Sequence, residues 1–254
     1  MLISIVTAVR NRAETIAEAV ASVQGQSHPA VEHVVQDGGS TDGTLAILRS
    51  GETEQLRLAS EPDSGIYDAI NRGMARTSGE VIGLVHSDDF LASPQVLAHV
   101  AHAFAADSSI DAVYGDLDYV TAADTARIVR RWRSEPFTPA LLIRGWMPPH
   151  PALFVRRRVI EQYGAYDTSF RISADYDAVL RWFSQPSFRA VYIPEVFVKM
   201  RTGGASNASL RHILRKSRED YRALRQNGVG GAGALFAKNV SKLHQFVARD
   251  ATTA

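Results

Sequence analysis

The chain has 254 residues, 45% of them hydrophobic and 22% charged. These are the proportions of an ordinary folded domain, and they exclude a disordered chain, a collagen-like repeat and a coiled coil. Its 28 basic residues balance 27 acidic ones, so net charge gives no reason to expect nucleic acid as a partner. Cysteine is absent, which removes a disulfide framework, a thiolate nucleophile and a Cys-ligated zinc site.

No apolar run reaches the roughly 18 residues of a membrane span. The opening Met1-Leu2-Ile3-Ser4-Ile5-Val6 lacks a basic leader and a small-residue cleavage site, so it reads as a strand and a cytoplasmic protein is expected. Leu2 to Val9 predicts that first strand. Ala13 to Gln24 carries Ile16, Val20 and Val23 at helical spacing. A second strand, Val31 to Val35, stops in the turn-forming cluster Asp37-Gly38-Gly39-Ser40-Thr41-Asp42-Gly43. A helix from Thr44, a brief strand from Leu56 to Ala59, a helix from Ile66 to Arg76 and an apolar strand from Val81 to Val85 follow. Pro94 fits the first turn of a helix running to about Ala106. Strands alternating with helices imply a parallel sheet covered on both faces.

The second half is less regular. Ala112 to Val120 and Arg127 to Trp132 read as strands, and Pro136, Pro139, Pro148, Pro149 and Pro151 break up what comes next. Asp175 to Phe183 predicts a helix and Phe188 to Val198 a strand. Two amphipathic helices close the chain, with stripes Leu210, Ile213, Leu214, Tyr221, Leu224 and Phe236, Val240, Leu243, Val247. From Arg201 onward ten basic residues face three acidic ones, so the tail carries +7 and the first 200 residues −6. The expected division is an α/β domain over residues 1–206 and a helical extension over 207–254.

Ligands of parallel α/β sheets bind beyond the carboxyl ends of the strands. Three strands end there in polar clusters: Thr7-Ala8-Val9-Arg10-Asn11, the loop 37–43, and His86-Ser87-Asp88-Asp89. Adjacent carboxylates at a strand end suit Mg2+ or Mn2+, which in turn hold phosphate oxygens. The glycines of the 37–43 loop let backbone approach a ligand closely.

An ordered set of motifs resembles the family 2 inverting glycosyltransferases of GT-A fold. It runs from Ser4-Ile5-Val6-Thr7-Ala8-Val9-Arg10-Asn11 through Asp37-Gly38-Gly39-Ser40-Thr41-Asp42-Gly43 to Glu61-Pro62-Asp63-Ser64-Gly65-Ile66-Tyr67-Asp68-Ala69-Ile70-Asn71-Arg72-Gly73. Gly79-Glu80-Val81-Ile82, Ser87-Asp88-Asp89, His150-Pro151-Ala152-Leu153-Phe154, Ala174-Asp175-Tyr176-Asp177 and Gly203-Gly204-Ala205-Ser206 complete it. The Asp63 to Asn71 run is similar to the branch that builds bacterial exopolysaccharides, O-antigens and glycolipids. The resemblance implies a mixed, mostly parallel Rossmann-like sheet with helices on both faces. It also implies metal-dependent transfer of a sugar, with inversion, from a nucleoside diphosphate sugar to a saccharide or lipid-linked acceptor.

Such transfer needs a stabilised diphosphate, a deprotonated acceptor hydroxyl and a gripped nucleoside. The resemblance assigns the nucleoside to Thr7 and Asp37, with Ala8, Val9, Asn11, Gly38, Asp68, Arg72 and Ser87 around the donor. It assigns ribose and metal to Asp88 and Asp89, since His86 stands where the family has its first Asp. It assigns the base to Asp175, with Ala174 in place of the family's preceding Glu.

Plainer readings stand beside these. Asp37 or Asp42 can cap the following helix, and Asp88 and Asp89 can cap the one near Pro94. Asp175 and Asp177 can complement a helix N-terminus, Asp177 being the more suited to orienting or capping. Glu61 and Asp63 stand between a donor role and solvated loop. His150 stands between a substrate role and a structural one, and Trp146 between stacking on a sugar and packing. Arg156-Arg157-Arg158 can meet an anionic acceptor or form a solvated face. The 203–206 loop is a lid over the diphosphate or a turn.

Gly228-Val229-Gly230-Gly231-Ala232-Gly233 mimics a dinucleotide loop, but no strand precedes it, so it reads as a linker between helices. Asn207-Ala208-Ser209 and Asn239-Val240-Ser241 match a glycosylation sequon without a secretion signal to give it meaning. The basic extension suits the inner face of a membrane, packing on the domain, or pairing between two chains as a homodimer. A sugar nucleotidyltransferase would carry a glycine-rich loop after the first strand, where this chain has Val9-Arg10-Asn11-Arg12. A non-catalytic nucleotide-sugar-binding scaffold of the same fold is the remaining alternative.

Overall fold

The computed structural model describes residues 1–202 and 210–238. The 203–206 loop, both sequons, the 206/207 boundary and the stripe residues Val240, Leu243 and Val247 lie outside the described residues.

The elements are β1 (Ile3–Val9), α1 (Ile16–Gln24), β2 (Val31–Asp37), α2 (Thr44–Ser50), β3 (Leu56–Ser60), α3 (Ile66–Ala75), β4 (Val81–Leu84), β5 (Asp89–Leu91), α4 (Val96–Ala106), β6 (Ala112–Thr121) and β7 (Ile128–Trp132). There follow α5 (Pro139–Ile143), a 3-10 turn (His150–Ala152), β8 (Leu153–Arg156), α6 (Arg157–Tyr163), α7 (Ala174–Phe183), β9 (Ala190–Thr202) and α8 (Leu210–Gln226). A further helical stretch spans 232–238. One sheet runs β3-β2-β1-β4-β8-β6-β9-β5, with β7 paired to β6.

The expected alternation holds through α4, and β3-β2-β1-β4 are all parallel. The sheet then turns mixed. β8 enters antiparallel between β4 and β6, β9 runs parallel to β6, and β5 and β7 pair antiparallel. β1, β2 and β4 are buried along their whole length because both faces are covered, whereas β3, β7 and β9 are partly exposed. Val6, Ala8, Val34, Ile82, Leu84, Leu153 and Val155 face one core with α3, α7 and α8. Ile3, Ile5, Val35, Val81 and Phe154 face the other with α1 and α4. The period of two along each strand assigns its residues to the two cores.

The second half differs from the sequence reading in β5, α5, β8 and α6. These elements are three to seven residues long, too short to build a periodic signal. Arg156, Arg157 and Arg158 bond to protein groups, Arg158 while remaining exposed. Arg156 donates to the Ile110 and Phe104 carbonyls, Arg157 to the Gly79 carbonyl and Thr77 Oγ1, and Arg158 to Asp111 and the Ser108 carbonyl. They satisfy loop carbonyls at the edge where β4 and β6 begin.

The apolar stripe of α8 also divides. Leu224 is buried, whereas Ile213, Leu214 and Tyr221 are 51%, 66% and 42% exposed. Of the Gly228–Gly233 segment, residues 228–231 lie between α8 and the 232–238 helix, and Ala232 and Gly233 begin that helix. That last helix buries Ala234 and Lys238 and leaves Phe236 71% exposed. Lys238 Nζ lies 2.9 Å from Asp220 Oδ2 and 2.9 Å from the centre of the Tyr176 ring, so this part of the extension is docked on the domain. Its backbone lies so close to Gly145 that a Cβ there would meet Lys238 Cβ at 2.3 Å.

Candidate active site

The loops at the carboxyl ends of β1 and β2 are laced together. Asn11 adopts φ +52°, a left-handed conformation that Asn tolerates. Its Oδ1 accepts from Thr41 N and its own N–H donates to Ser40 Oγ. Asp42 accepts from Ala13 N on one oxygen and from Thr44 N and Oγ1 on the other, so it is the carboxylate that tethers the start of α2.

Asp37 is fully buried. It accepts from Gly39 N, Ser40 N, Ser40 Oγ and Ser60 Oγ, and the serine bonds lead the causes that outweigh burial and hold its carboxyl below the usual range. Thr7 is equally buried, donating to the Val85 carbonyl at 2.7 Å and meeting His33 Nε2 at 2.9 Å. Both side chains expected to grip the nucleoside are therefore fixed in place by protein hydrogen bonds.

A cleft of about 240 Å³ opens above them, lined by Ala8, Val9, Arg10, Arg12, Asp63, Gly65, Ile66, Ala69 and Ser87. Asp63 leans against Gly38 so closely that a Cβ on that glycine would sit 2.2 Å from its Oδ2. Asp68 and Arg72 turn inward on their own loop. Asp68 accepts from Ser64 N and Oγ and pairs with Arg72, which also donates to the Pro62 carbonyl. Glu61 is exposed and lies 3.5 Å from Arg72. Of the expected donor residues, Ala8, Val9, Asp63 and Ser87 line the cleft; Thr7, Asn11, Asp37, Asp68 and Arg72 hold its walls.

The two adjacent carboxylates part company. Asp88 is partly exposed and lies 4.0 Å from Arg12 Nε. Its carboxylate accepts no hydrogen bond among the described residues. Asp89 begins β5 and is completely buried. Its Oδ1 accepts from Arg201 N, and its Oδ2 has no hydrogen-bond partner among the described residues. Burial, then the charge of Asp88, pushes its carboxyl well above the usual range, so the neutral acid is favoured. Asp88 lies in the turn before β5 and Asp89 is the first residue of that strand, so the two carboxylates sit in different surroundings. Neither caps α4, whose Gln95 start has no side-chain cap.

Asp175 sits half-buried in the first turn of α7. Its Oδ1 accepts from Tyr176 N at 2.8 Å and faces the Tyr67 hydroxyl at 3.3 Å. The Tyr67 hydroxyl donates to the Ile172 carbonyl at 2.6 Å. Asp175 Oδ2 is left without a donor among the described residues.

A row of rings joins this corner to Asp88. The Tyr67–Tyr166, Tyr166–His150 and His150–His86 centroids are 5.8, 5.4 and 6.1 Å apart. His150 shares a 2.7 Å hydrogen bond with the Tyr166 hydroxyl. Burial lowers its pKa to about 4 against the opposing charge of Asp175. Burial likewise lowers His86, against the charges of Asp88 and Asp175. Both imidazoles are neutral near pH 7.

Trp146 packs with Tyr114, Phe137 and Phe183 at 5.7, 5.8 and 6.2 Å, which satisfies the packing reading. Asp177 is buried, pairing with Arg181 and accepting from Asn227 at the end of α8; it ties two helices together. Tyr67 and Tyr166 escaped the sequence reading of the site, although Tyr67 lies inside the quoted Asp63–Asn71 run. Arg10 and Arg12 escaped it too; their signal was position just past a strand end. A larger depression of about 420 Å³ lies by the starts of β6 and β9, between Asp107, Phe137, Phe183 and Arg189, and is lined by none of these carboxylates.

The family model described as Glycosyl transferase family 2 matches residues 4–164. The PGL/p-HBAD biosynthesis glycosyltransferase of Mycobacterium bovis is 31% identical over 214 residues, covering 81% of this chain and 79% of that protein. The crystal structure of S. aureus TarS in complex with UDP-GlcNAc superposes with TM-score 0.70 at 17% identity, covering 90% of this chain and 66% of that one. The mannosyltransferase PcManGT from Pyrobaculum calidifontis, in complex with GDP-Man and Mn2+, superposes with TM-score 0.65 at 18% identity. That match covers 98% of this chain and 76% of that one.

Proposed function

The chain belongs to glycosyl transferase family 2, and from that premise we propose that it moves a sugar, with inversion, from a nucleoside diphosphate sugar to a hydroxyl of a saccharide or lipid-linked acceptor. One observation carries this reading. A carboxylate with a free oxygen, Asp175, and an unbonded carboxylate, Asp88, flank a row of neutral rings beside a cleft lined by two arginines.

The division of labour follows from these positions. Asp175 Oδ1 is held by Tyr176 N and Tyr67, so Oδ2 takes the acceptor proton as general base. The acceptor oxygen bonds to the anomeric carbon as the bond to the diphosphate oxygen breaks, in one displacement. Arg10 and Arg12, at the cleft wall, offset the charge growing on the departing diphosphate. The buried His86 and His150 stand in the ring row, and burial disfavours positive charge on both.

A divalent cation fits Asp88. Mg2+ and Mn2+ bind through one or two carboxylates plus water and substrate phosphates rather than an all-protein cage, and no cluster of three His, Asp or Glu residues occurs among the described residues. Held there, the cation would stabilise negative charge on the leaving diphosphate. PcManGT is in complex with Mn2+, which supports the same cofactor here.

The anomeric configuration of the product tests the reading. With an α-linked donor, the proton coupling of the newly formed linkage is expected to report a β-glycoside; an α-glycoside contradicts a single displacement.

The exposed face of α8 supports membrane docking of this enzyme. Arg215, Arg218 and Arg225 recur at helical spacing beside the exposed Leu214 and Tyr221, and each arginine near an anionic surface contributes about 1 kcal/mol. Among the described residues no helix is long and apolar enough to cross a membrane. Co-sedimentation with vesicles containing phosphatidylglycerol is expected, with loss on Arg215→Glu/Arg218→Glu. Equal binding to neutral vesicles contradicts it.

A further inference from the structure

The loop that delivers Asp175 to the site is held from outside the α/β domain. It runs from Asp167 to Ser173 and enters α7 directly. Glu219, midway along α8, accepts from Ile172 N at 2.8 Å and Ser173 N at 3.1 Å through a single oxygen, Oε2. These N–H groups lie at the start of α7, where no intrahelical carbonyl reaches them. The opposite side of the same peptide is also taken, because the Ile172 carbonyl accepts from Tyr67 at 2.6 Å. Ile172 is therefore gripped by α8 at its nitrogen and by α3 at its oxygen. The hydroxyl that grips the oxygen stands 3.3 Å from Asp175 Oδ1.

Other contacts between α8 and this region are built differently. Arg222 lies over the Phe170 ring and donates to Ser169 Oγ. Asn227 donates to Asp177 on the far side of the first turn of α7. Both hold side chains. Glu219 alone among the described residues of α8 holds main-chain N–H groups within three residues of Asp175.

We infer that Glu219 is a positioning residue for Asp175, fixing the backbone from which the base projects. The inference rests on the reading of Asp175 as the base. Glu219 touches neither the cleft nor the ring row. It acts through two hydrogen bonds that set where the first turn of α7 begins. A carboxylate that must meet an acceptor hydroxyl within hydrogen-bond reach tolerates little displacement, and a 1 Å error costs about 100-fold in rate.

The experiment compares full-length Glu219→Ala, Glu219→Gln and Asp175→Asn proteins in steady-state transfer and in calorimetric binding of nucleoside diphosphate. Glu219→Ala is expected to lower kcat about 10- to 100-fold, with donor KM and diphosphate affinity at parental values. Glu219→Gln keeps an acceptor oxygen facing the same N–H groups and is expected to restore kcat to within about threefold of the parent. In an Asp175→Asn background Glu219→Ala is expected to add no further loss. Parental kcat in Glu219→Ala overturns the inference. So does a loss shared by kcat and diphosphate binding, which assigns Glu219 to holding α8 in place. Failure of Gln to restore the rate overturns it too, since the effect then comes from charge. Parental activity in Asp175→Asn is a different result, because it removes the assignment of the base itself.

Discussion

Asp175→Asn is expected to lower kcat by about 100- to 10,000-fold, the usual contribution of a positioned general base, while leaving nucleoside diphosphate affinity unchanged. Asn keeps the oxygen that Tyr176 N and Tyr67 hold at Oδ1, so the first turn of α7 stays in place. What it loses is the proton acceptor at the other oxygen. The loss should therefore appear in kcat and kcat/KM alike, the signature of an interaction made only in the transition state. Tyr67→Phe separates orientation from chemistry. It removes the hydroxyl that grips Ile172 and faces Asp175 but leaves a competent carboxylate, so a smaller loss is expected. A retained parental rate in Asp175→Asn contradicts the assignment of the base.

Asp88→Ala is expected to lower the metal-dependent rate about 100- to 1,000-fold, in keeping with the several kcal/mol that a bound cation contributes to a departing phosphate. Chelation of the native protein is expected to reproduce this loss, and chelation of Asp88→Ala to add nothing. Asp89→Asn supplies the contrast. Asp89 is buried and its Oδ1 accepts from Arg201 N, which an Asn oxygen can also do, so metal dependence is expected to persist. Equal losses in Asp88→Ala and Asp89→Asn would return the pair to shared ligation and contradict the division seen here.

Much of the first half of the fold is legible from local pattern. Apolar runs at 3–9, 31–37 and 81–84 are strands because both their faces are buried. The intervening stripes with period 3.6 mark the helices. The antiparallel insertion of β8 was not legible, because four residues after a proline-rich stretch carry no periodicity. The roles proposed for Asp88 and Asp175 come from the resemblance of Ser87-Asp88-Asp89 and Ala174-Asp175-Tyr176-Asp177 to family motifs. The row Tyr67–Tyr166–His150–His86 was not legible, since Tyr67 and Asp175 are 108 residues apart in the chain and only the packing of α3 against α7 brings them together.

Burial gives the polar strand-end residues Thr7 and Asp37 protein partners, in Val85 and in the 39–40 and 60 backbone and hydroxyls. Leu214 and Tyr221 fall in an apolar stripe, yet α8 buries a neighbouring face, and these side chains are left outside.

Calorimetric titration of UDP, GDP and dTDP, each with and without Mn2+, against the native chain and Asp88→Ala tests the central claim most directly. The account predicts that one of these diphosphates binds in a Mn2+-dependent manner and that Asp88→Ala abolishes that dependence. Absence of binding by all three to folded protein, or binding indifferent to both Mn2+ and Asp88, would contradict it.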